Sequence, residues 1–514
     1  MKLSKILQLL ALWSTCVTII LTSCSRQKTA STPVQPEKVS VRVDWDKVAT
    51  VSKTALTLQV VVNTPLRRGA KIHDRVYQAL HELGCDYVRY VPWLPFPKLV
   101  VAELEPPKDG STSWDFSLID PMTEDFINAT AGHSVILNFS TIPQWMYKTE
   151  KPIAYPSDPD QVTWDYEQGT ELRDPTFKEV ADYYARLVGW YTQGGFTDEY
   201  GKRHESGHHY KIDYWEVLNE IQYEHKILPE TYTHLYDAVV AAIRKVDPKM
   251  KFVALALGDT FTPQYFEYFL NPKNHKPGTP LDMISYHFYA CDESGENTEN
   301  STYTFFDQAD RFLATVRYIQ LIRQRLSPQT MSDVDELGSQ DPNDFSEGEP
   351  AYVFKDFPAS YWNLSGAMYA YTYAELAKLG VEVAGESQWL GYPSQFPSVS
   401  MVDWNTGMPN TRAQVLRLIH DNFGPGDKLV DTSVSGSWLP PVYAQGFVTP
   451  DGKQKMLLVN KRERSFDVAI PGGNGAEIAY IDQTTGFQPA EVSHLSGERA
   501  TLAGLAVAVV TLPK

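Results

Sequence analysis

The sequence predicts an α/β protein, a (β/α)8 TIM barrel with a C-terminal antiparallel β-sandwich domain. Three observations carry that prediction. From about residue 55 onward, short apolar strands alternate with amphipathic helical stretches, a pattern that requires a parallel sheet. Eight such strands can be counted, and eight strand-helix units close naturally into a barrel. Past residue 430 the helical period disappears, and strands of period two follow one another with hairpin turns between them. A length of 514 residues agrees with this division, because a chain that long outgrows a single core.

The first element is a targeting segment. Lys2 and Lys5 form a basic start, residues 6–21 an apolar run, and Leu21-Thr22-Ser23-Cys24 closes it. The run is shorter than the roughly 20 residues needed to span a bilayer. The closing tetrapeptide resembles a bacterial lipobox, which implies removal of residues 1–23, acylation of Cys24 and a mature protein tethered to a membrane in the cell envelope, periplasmic or at the cell surface. Residues 24–38, rich in Ser, Thr, Pro and Gln, read as a flexible tether. The barrel is expected over residues 39–430, with the strand-like stretch 39–43 available to the sandwich instead, and the sandwich over 431–514.

The barrel strands are read at 56–62, 87–91, 135–139, 214–218, 252–257, 283–288, 331–334 and 381–384. Among the helices between them, the clearest follows Asp174-Pro175, with Val180, Tyr184, Leu187, Val188 and Tyr191 on one face. A second covers 232–246 and stops at Asp247-Pro248; a third covers 362–379 and ends at Gly380. In the tail, Asp451-Gly452 and the run Pro471-Gly472-Gly473-Asn474-Gly475 mark turns. Of four cysteines only Cys85 and Cys291 belong to the fold; both pairing and free thiols stay open, free buried thiols being the commoner outcome without a larger cysteine framework.

Working residues of a barrel emerge at the C-terminal ends of its strands, so the polar groups that end apolar strands are the candidates. Strand four ends in Asn219-Glu220 and strand seven in Asp335-Glu336-Leu337. Those strands open onto the same mouth, and two converging carboxyls at about 5–5.5 Å are what hydrolysis of a glycoside with retention requires. Glu220 is therefore the candidate acid/base and Glu336 the candidate nucleophile. Arg89 on strand two is placed to keep Glu336 ionised. His287 and Tyr289 share one side of strand six and are expected to donate to Glu336. Trp93, Trp145 and Trp389, after strands two, three and eight, are candidate stacking surfaces for a sugar. Glu386 near the end of strand eight, with Gln388 beyond it, is the rival nucleophile, ranked second because strand eight adjoins strand one. The literal His-Glu-x-x-His match at 204–208 is set aside as a zinc motif, because Gly201 and Gly207 flank it and it lacks the helix that would bring both imidazoles together. The expected chemistry needs neither a metal nor an organic cofactor.

These strand ends resemble glycoside hydrolase family 39, within the large clan A of retaining barrel hydrolases. The resemblance rests on the segment 114–120 followed by 135–143, on Glu216-Val217-Leu218-Asn219-Glu220, and on 442–445 and 458–462 in the tail. Ile221 stands where the family usually has proline, and Leu337 where it usually has an aromatic residue. The resemblance implies Glu220 as acid/base, Glu336 as nucleophile and Asn219 as a donor to the sugar 2-hydroxyl, and it suggests exo action on β-xylosides, arabinosides or uronides. An endo-acting clan A polysaccharidase and a non-catalytic glycan-binding lipoprotein are the alternatives. Composition is compatible with a carbohydrate partner: aromatic residues make up 12% of the chain, with 12 Trp and 29 Tyr. A formal charge of −17 with no basic stripe argues against nucleic acid.

Overall fold

The computed structural model describes residues 36–149, 155–164, 170–292, 298–345, 357–435 and 439–513. The signal segment, Cys24 and all but the end of the tether lie outside them. Among the described residues no helix is long and apolar enough to cross a membrane.

Eight parallel strands close into a barrel: Ala55–Val61, Tyr87–Val91, Ser134–Leu137, Tyr214–Glu216, Lys251–Leu257, Met283–Cys291, Met331–Gln340 and Val383–Glu386. Each expected strand is present and in order. Boundaries move most at strand seven, which continues to Gln340 because its last residues still pair with strand six, Gln340 opposite Cys291. The expected helices are found at Lys178–Thr192, Pro229–Val246 and Ala359–Leu379. Pro229 opens the second, where a missing N–H costs nothing, and Gly380 closes the third at φ 74°, a left-handed position that glycine takes without steric cost. The Asp174 carboxylate accepts from the backbone N–H groups of Thr176 and Glu179, so it caps this first turn although the helix itself begins at Lys178.

Of the remaining strands nine form a curled sheet, and Gly195–Thr197 pairs with Arg203–Glu205 in a separate two-stranded one. The N-terminal strand Glu37–Val51 belongs to the nine-stranded sheet, pairing antiparallel with Lys428–Val434 and parallel with Phe466–Ala469. The accessory sheet thus takes a strand from each side of the barrel segment, and it contains one parallel pair among its antiparallel ones. Its own core is made by Val39, Val41, Leu458, Val468, Ile478 and Val510. Strands Val442–Val448 and Gln454–Asn460 form the hairpin around Asp451-Gly452, where Gly452 takes φ 82°. Helix Ala359–Leu379 lies against this sheet: Tyr443 donates to Glu375 at 2.7 Å, and Lys461 sits 5.0 Å over the Tyr371 ring. Cys85 is buried, Cys291 half-buried, and both are free.

The His-Glu-x-x-His stretch adopts extended structure. His204 lies in the short strand Arg203–Glu205 with its ring 2.8 Å from Asp198, while His208 turns to Asp120 at 3.2 Å. Two imidazoles held by separate carboxylates do not converge on one ion.

Candidate active site

Strand alternation decides which polar side chains enter the barrel mouth. Gln59 on strand one pairs with Arg89 on strand two, and Glu336 on strand seven pairs with His287 on strand six, so each pair faces the same way. Arg89 is fully buried and serves as the hub. Its Nε donates to Glu216 at 2.5 Å, Nη1 to Gln59 at 2.6 Å and to Glu336 at 2.5 Å, and Nη2 to Asn219 at 2.7 Å. Glu216 is satisfied further by Asn138 and Ser285. A guanidinium spread over four acceptors holds the ends of strands one, two, four and seven in register.

Glu336 receives a second set of contacts from strand six. Tyr289 donates to its Oε2 at 2.6 Å and also reaches Ser387 at 2.6 Å, and His287 Nδ1 lies 3.4 Å away. Burial opposes the Glu336 charge, but His287, Arg89 and the Tyr289 hydrogen bond outweigh it and hold the carboxyl below its ordinary range. Burial likewise opposes the His287 cation, yet Glu336, Asp335 and the bond to Glu220 raise the imidazole to about 9. His287 Nδ1 also contacts Glu220 Oε1 at 2.9 Å. One oxygen of Glu220, one of Glu336 and a His287 ring nitrogen all lie within 4.8 Å of one another.

Glu220 stands on strained backbone. Leu218 and Glu220 have φ of 63° and 40°, and on the adjoining strand Leu255 and Ala256 have 80° and 40°. Left-handed conformation costs a non-glycine residue roughly 1–2 kcal/mol, so two neighbouring strand ends carry strain at the place where a carboxylate is presented. The Glu220 N–H donates to Ala256 C=O at 2.8 Å and anchors the distortion. Gly258 leaves room for the side chain: a Cβ there would sit 2.8 Å from the Glu220 carboxylate.

The cavity above these groups measures about 460 Å³. Asn219, Glu220, His287, Tyr289, Glu336, Trp93 and Gln388 line it, so most of the residues singled out by sequence do converge. Asn219 is fixed from both ends, accepting from Arg89 and donating to Glu224 at 2.9 Å. Glu224 also accepts from Trp93 Nε1 at 2.8 Å. The Trp93 ring packs beside Trp164 and Phe396.

Three expectations are corrected. Glu386 is fully buried, because it pairs in register with Leu337 and Leu58 and so points, as they do, away from the mouth. Its contact is Arg412 at 3.2 Å, and burial, only partly offset by Arg412, pushes its carboxyl up to about 8. Trp389 is 1% exposed and donates to Val76 C=O, which makes it a core residue. Trp145 donates to Glu103 C=O and is covered by Arg173 at 4.5 Å, outside the cavity. Sequence reading missed Gln59, Glu216 and Ser387 as members of the polar hub. Gln59 and Arg89 occupy matching positions on adjacent strands, and that parity was the available signal. Tyr223, Gly258 and Phe261 also line the cavity, from loops where no period applies.

No protein-family model matches the chain, and no curated protein matches it by sequence. Solved structures do match in fold. A GH51 arabinofuranosidase from Xanthomonas axonopodis pv. citri aligns with a TM-score of 0.63 at 11% identity, covering 93% of this chain and 100% of that one. An α-L-arabinofuranosidase from Thermotoga maritima gives 0.59 at 14% identity over 92% and 99% of the two chains. A GH30 endoxylanase from Clostridium papyrosolvens C71 gives 0.54 at 14% identity over 93% and 100%. At these identities the likeness is one of architecture: barrel and accessory sheet together.

Proposed function

We propose that the chain is a retaining glycoside hydrolase of clan A, most similar in its motifs to family 39, acting from chain ends on β-xyloside, arabinoside or uronide groups of plant or host glycans. The carrying observation is the Glu220–Glu336 pair: carboxylate oxygens within 4.8 Å, one carboxyl clamped in its charged form and the other left partly open to the cavity. That spacing suits direct attack, whereas an inverting pair stands about 6.5–9.5 Å apart to admit a water. A cavity of 460 Å³ falls at the smaller end of small-ligand sites, ~300–1,000 Å³, which favours the end of a glycan over a chain running through. The glycosidases of similar fold support the reading.

In the first step Glu336 attacks the anomeric carbon while Glu220 passes its proton to the glycosidic oxygen, so the bond to the leaving group breaks as an ester forms. Negative charge thereby moves from Glu336 to Glu220. His287 Nδ1, 2.9 Å from one and 3.4 Å from the other, faces the charge before and after the transfer. In the second step Glu220 takes a proton from water, whose oxygen displaces Glu336 from the same carbon. Asn219, its oxygen held by Arg89 and one amide hydrogen given to Glu224, keeps its second amide hydrogen for the sugar 2-hydroxyl.

A panel of chromogenic β-D-xylosides, α-L-arabinofuranosides and glycuronides tests this. The wild type should release chromophore from one class and monosaccharide from its oligomers. Azide, which needs no base, should speed turnover by Glu220→Ala and give a glycosyl azide of retained configuration. Sugars that raise the melting temperature without any release would instead mean a glycan-capturing lipoprotein, and mixed fragments would mean endo action. The lipobox reading places the enzyme on the cell envelope. Cys24→Ala should then abolish palmitate labelling and release the protein from membranes.

A further inference from the structure

We infer that Tyr223 and Phe261 form a leaving-group subsite, an aromatic platform for an uncharged sugar or aryl ring attached to the scissile oxygen. The inference rests on the glycosidase reading and adds which part of the substrate this edge of the cavity grips. The proton donor fixes the geometry. Glu336, with Tyr289, Gln59 and Ser387 around it, belongs to the sugar whose anomeric carbon is attacked. The oxygen that Glu220 protonates belongs to the departing group, which must therefore extend past Glu220 toward the loops after strands four and five.

Those loops present two rings. The Tyr223 ring and the Glu220 carboxylate both come within 3 Å of one point above Gly258, at 2.7 and 2.8 Å, so the ring borders the carboxylate directly. Tyr223 donates its hydroxyl to Asp259, whose other oxygen accepts from the Phe261 N–H at 2.7 Å. A single carboxylate thus ties down both ring-bearing segments. Both residues line the cavity, yet Tyr223 is 54% and Phe261 75% exposed. Trp93, which also lines the cavity, is by contrast already packed against Trp164 and Phe396. Anchored aromatic faces left open beside a proton donor suit the C–H face of a sugar ring or a flat aglycone. Asp259 beside them disfavours a uronate at that position by charge.

The test compares two substrates sharing one glycone: β-1,4-xylobiose and β-D-xylosyl fluoride, or the corresponding pair for the sugar that the chromogenic panel selects. Fluoride leaves without a ring to stack. Phe261→Ala should lower kcat/KM on the disaccharide about tenfold, equivalent to ~1.4 kcal/mol of lost stacking, and leave the fluoride unchanged. Phe261→Trp should restore the disaccharide rate. Equal losses on both substrates, or none on either, would overturn the platform. A wild type inactive on the fluoride as well would sink the glycosidase reading and the platform with it, an outcome distinct from an active enzyme indifferent to position 261.

Discussion

Glu336 and Glu386 lie in the C-terminal halves of neighbouring barrel strands, and each touches a fully buried arginine, yet one is held ionised and the other is pushed up to about 8. Register separates them first. Leu337, not Glu336, is the partner of Glu386, so the two carboxyls leave their sheet on opposite faces. Donor count separates them next. Glu336 has Arg89, Tyr289 and His287 around it, whereas Glu386 has, among the described residues, only Arg412, which is also engaged by the carbonyls of Ser387 and Val399. A single shared cation does not offset full desolvation; three convergent donors do. An arginine near a buried glutamate is therefore weak evidence of function, and a surplus of donors aimed into a cavity is strong evidence.

The largest expected effect breaks the comparison outright. Glu336→Gln should reduce kcat on the order of 10⁴-fold or more, as loss of a covalent nucleophile does, with substrate binding retained. Glu386→Gln should stay within about threefold of wild type; the opposite pattern in steady-state kinetics would exchange the two roles. Arg89→Met comes next. It strands Glu216 and Glu336 without their shared cation, and removing one partner of a buried pair costs about 3–5 kcal/mol, read as a lowered midpoint in urea unfolding. Gly258→Ala perturbs position instead of charge. The added methyl meets the Glu220 carboxylate at 2.8 Å, and displacement by about 1 Å should cost on the order of 10²-fold in kcat with little change in KM.

The smallest effect is a pH dependence of stability. The His287 imidazole is raised in the folded state from 6.5 to about 9, so its contribution is fully present below pH 6.5 and is lost as pH rises through 9. Glu336 has the reverse sign: its carboxyl is lowered from 4.5, so its contribution is present above pH 4.5 and is lost on acidification. His287→Gln should flatten the alkaline limb of melting temperature against pH between about 6.5 and 9. An unchanged alkaline limb in that variant would assign the dependence elsewhere.

Much of the architecture was legible in the chain because it rests on local period. Eight apolar strands, the proline and glycine at helix ends and the switch to period two each leave a mark within a dozen residues. Arg89, Asn219, Glu220, His287, Tyr289 and Glu336 were legible too, since strand ends of a barrel converge whatever the loops do. Trp145, Trp389 and Glu386 misled for a single reason. A position just past or near a strand end does not fix on which side of the sheet a side chain lies, and strand eight had no alternating pattern to show it.

The sequence by itself determined the alternation of strand and helix, the chain order of the barrel and the carboxyls able to meet at its mouth, because hydrophobic period and strand topology are written along the chain. Only the tertiary structure decided which of those carboxyls carries charge and which aromatic rings stand open. Both depend on groups from distant segments, such as Arg89 between Glu216 and Glu336 or Asp259 beside Tyr223, and a desolvated charge is stable only where such partners close around it.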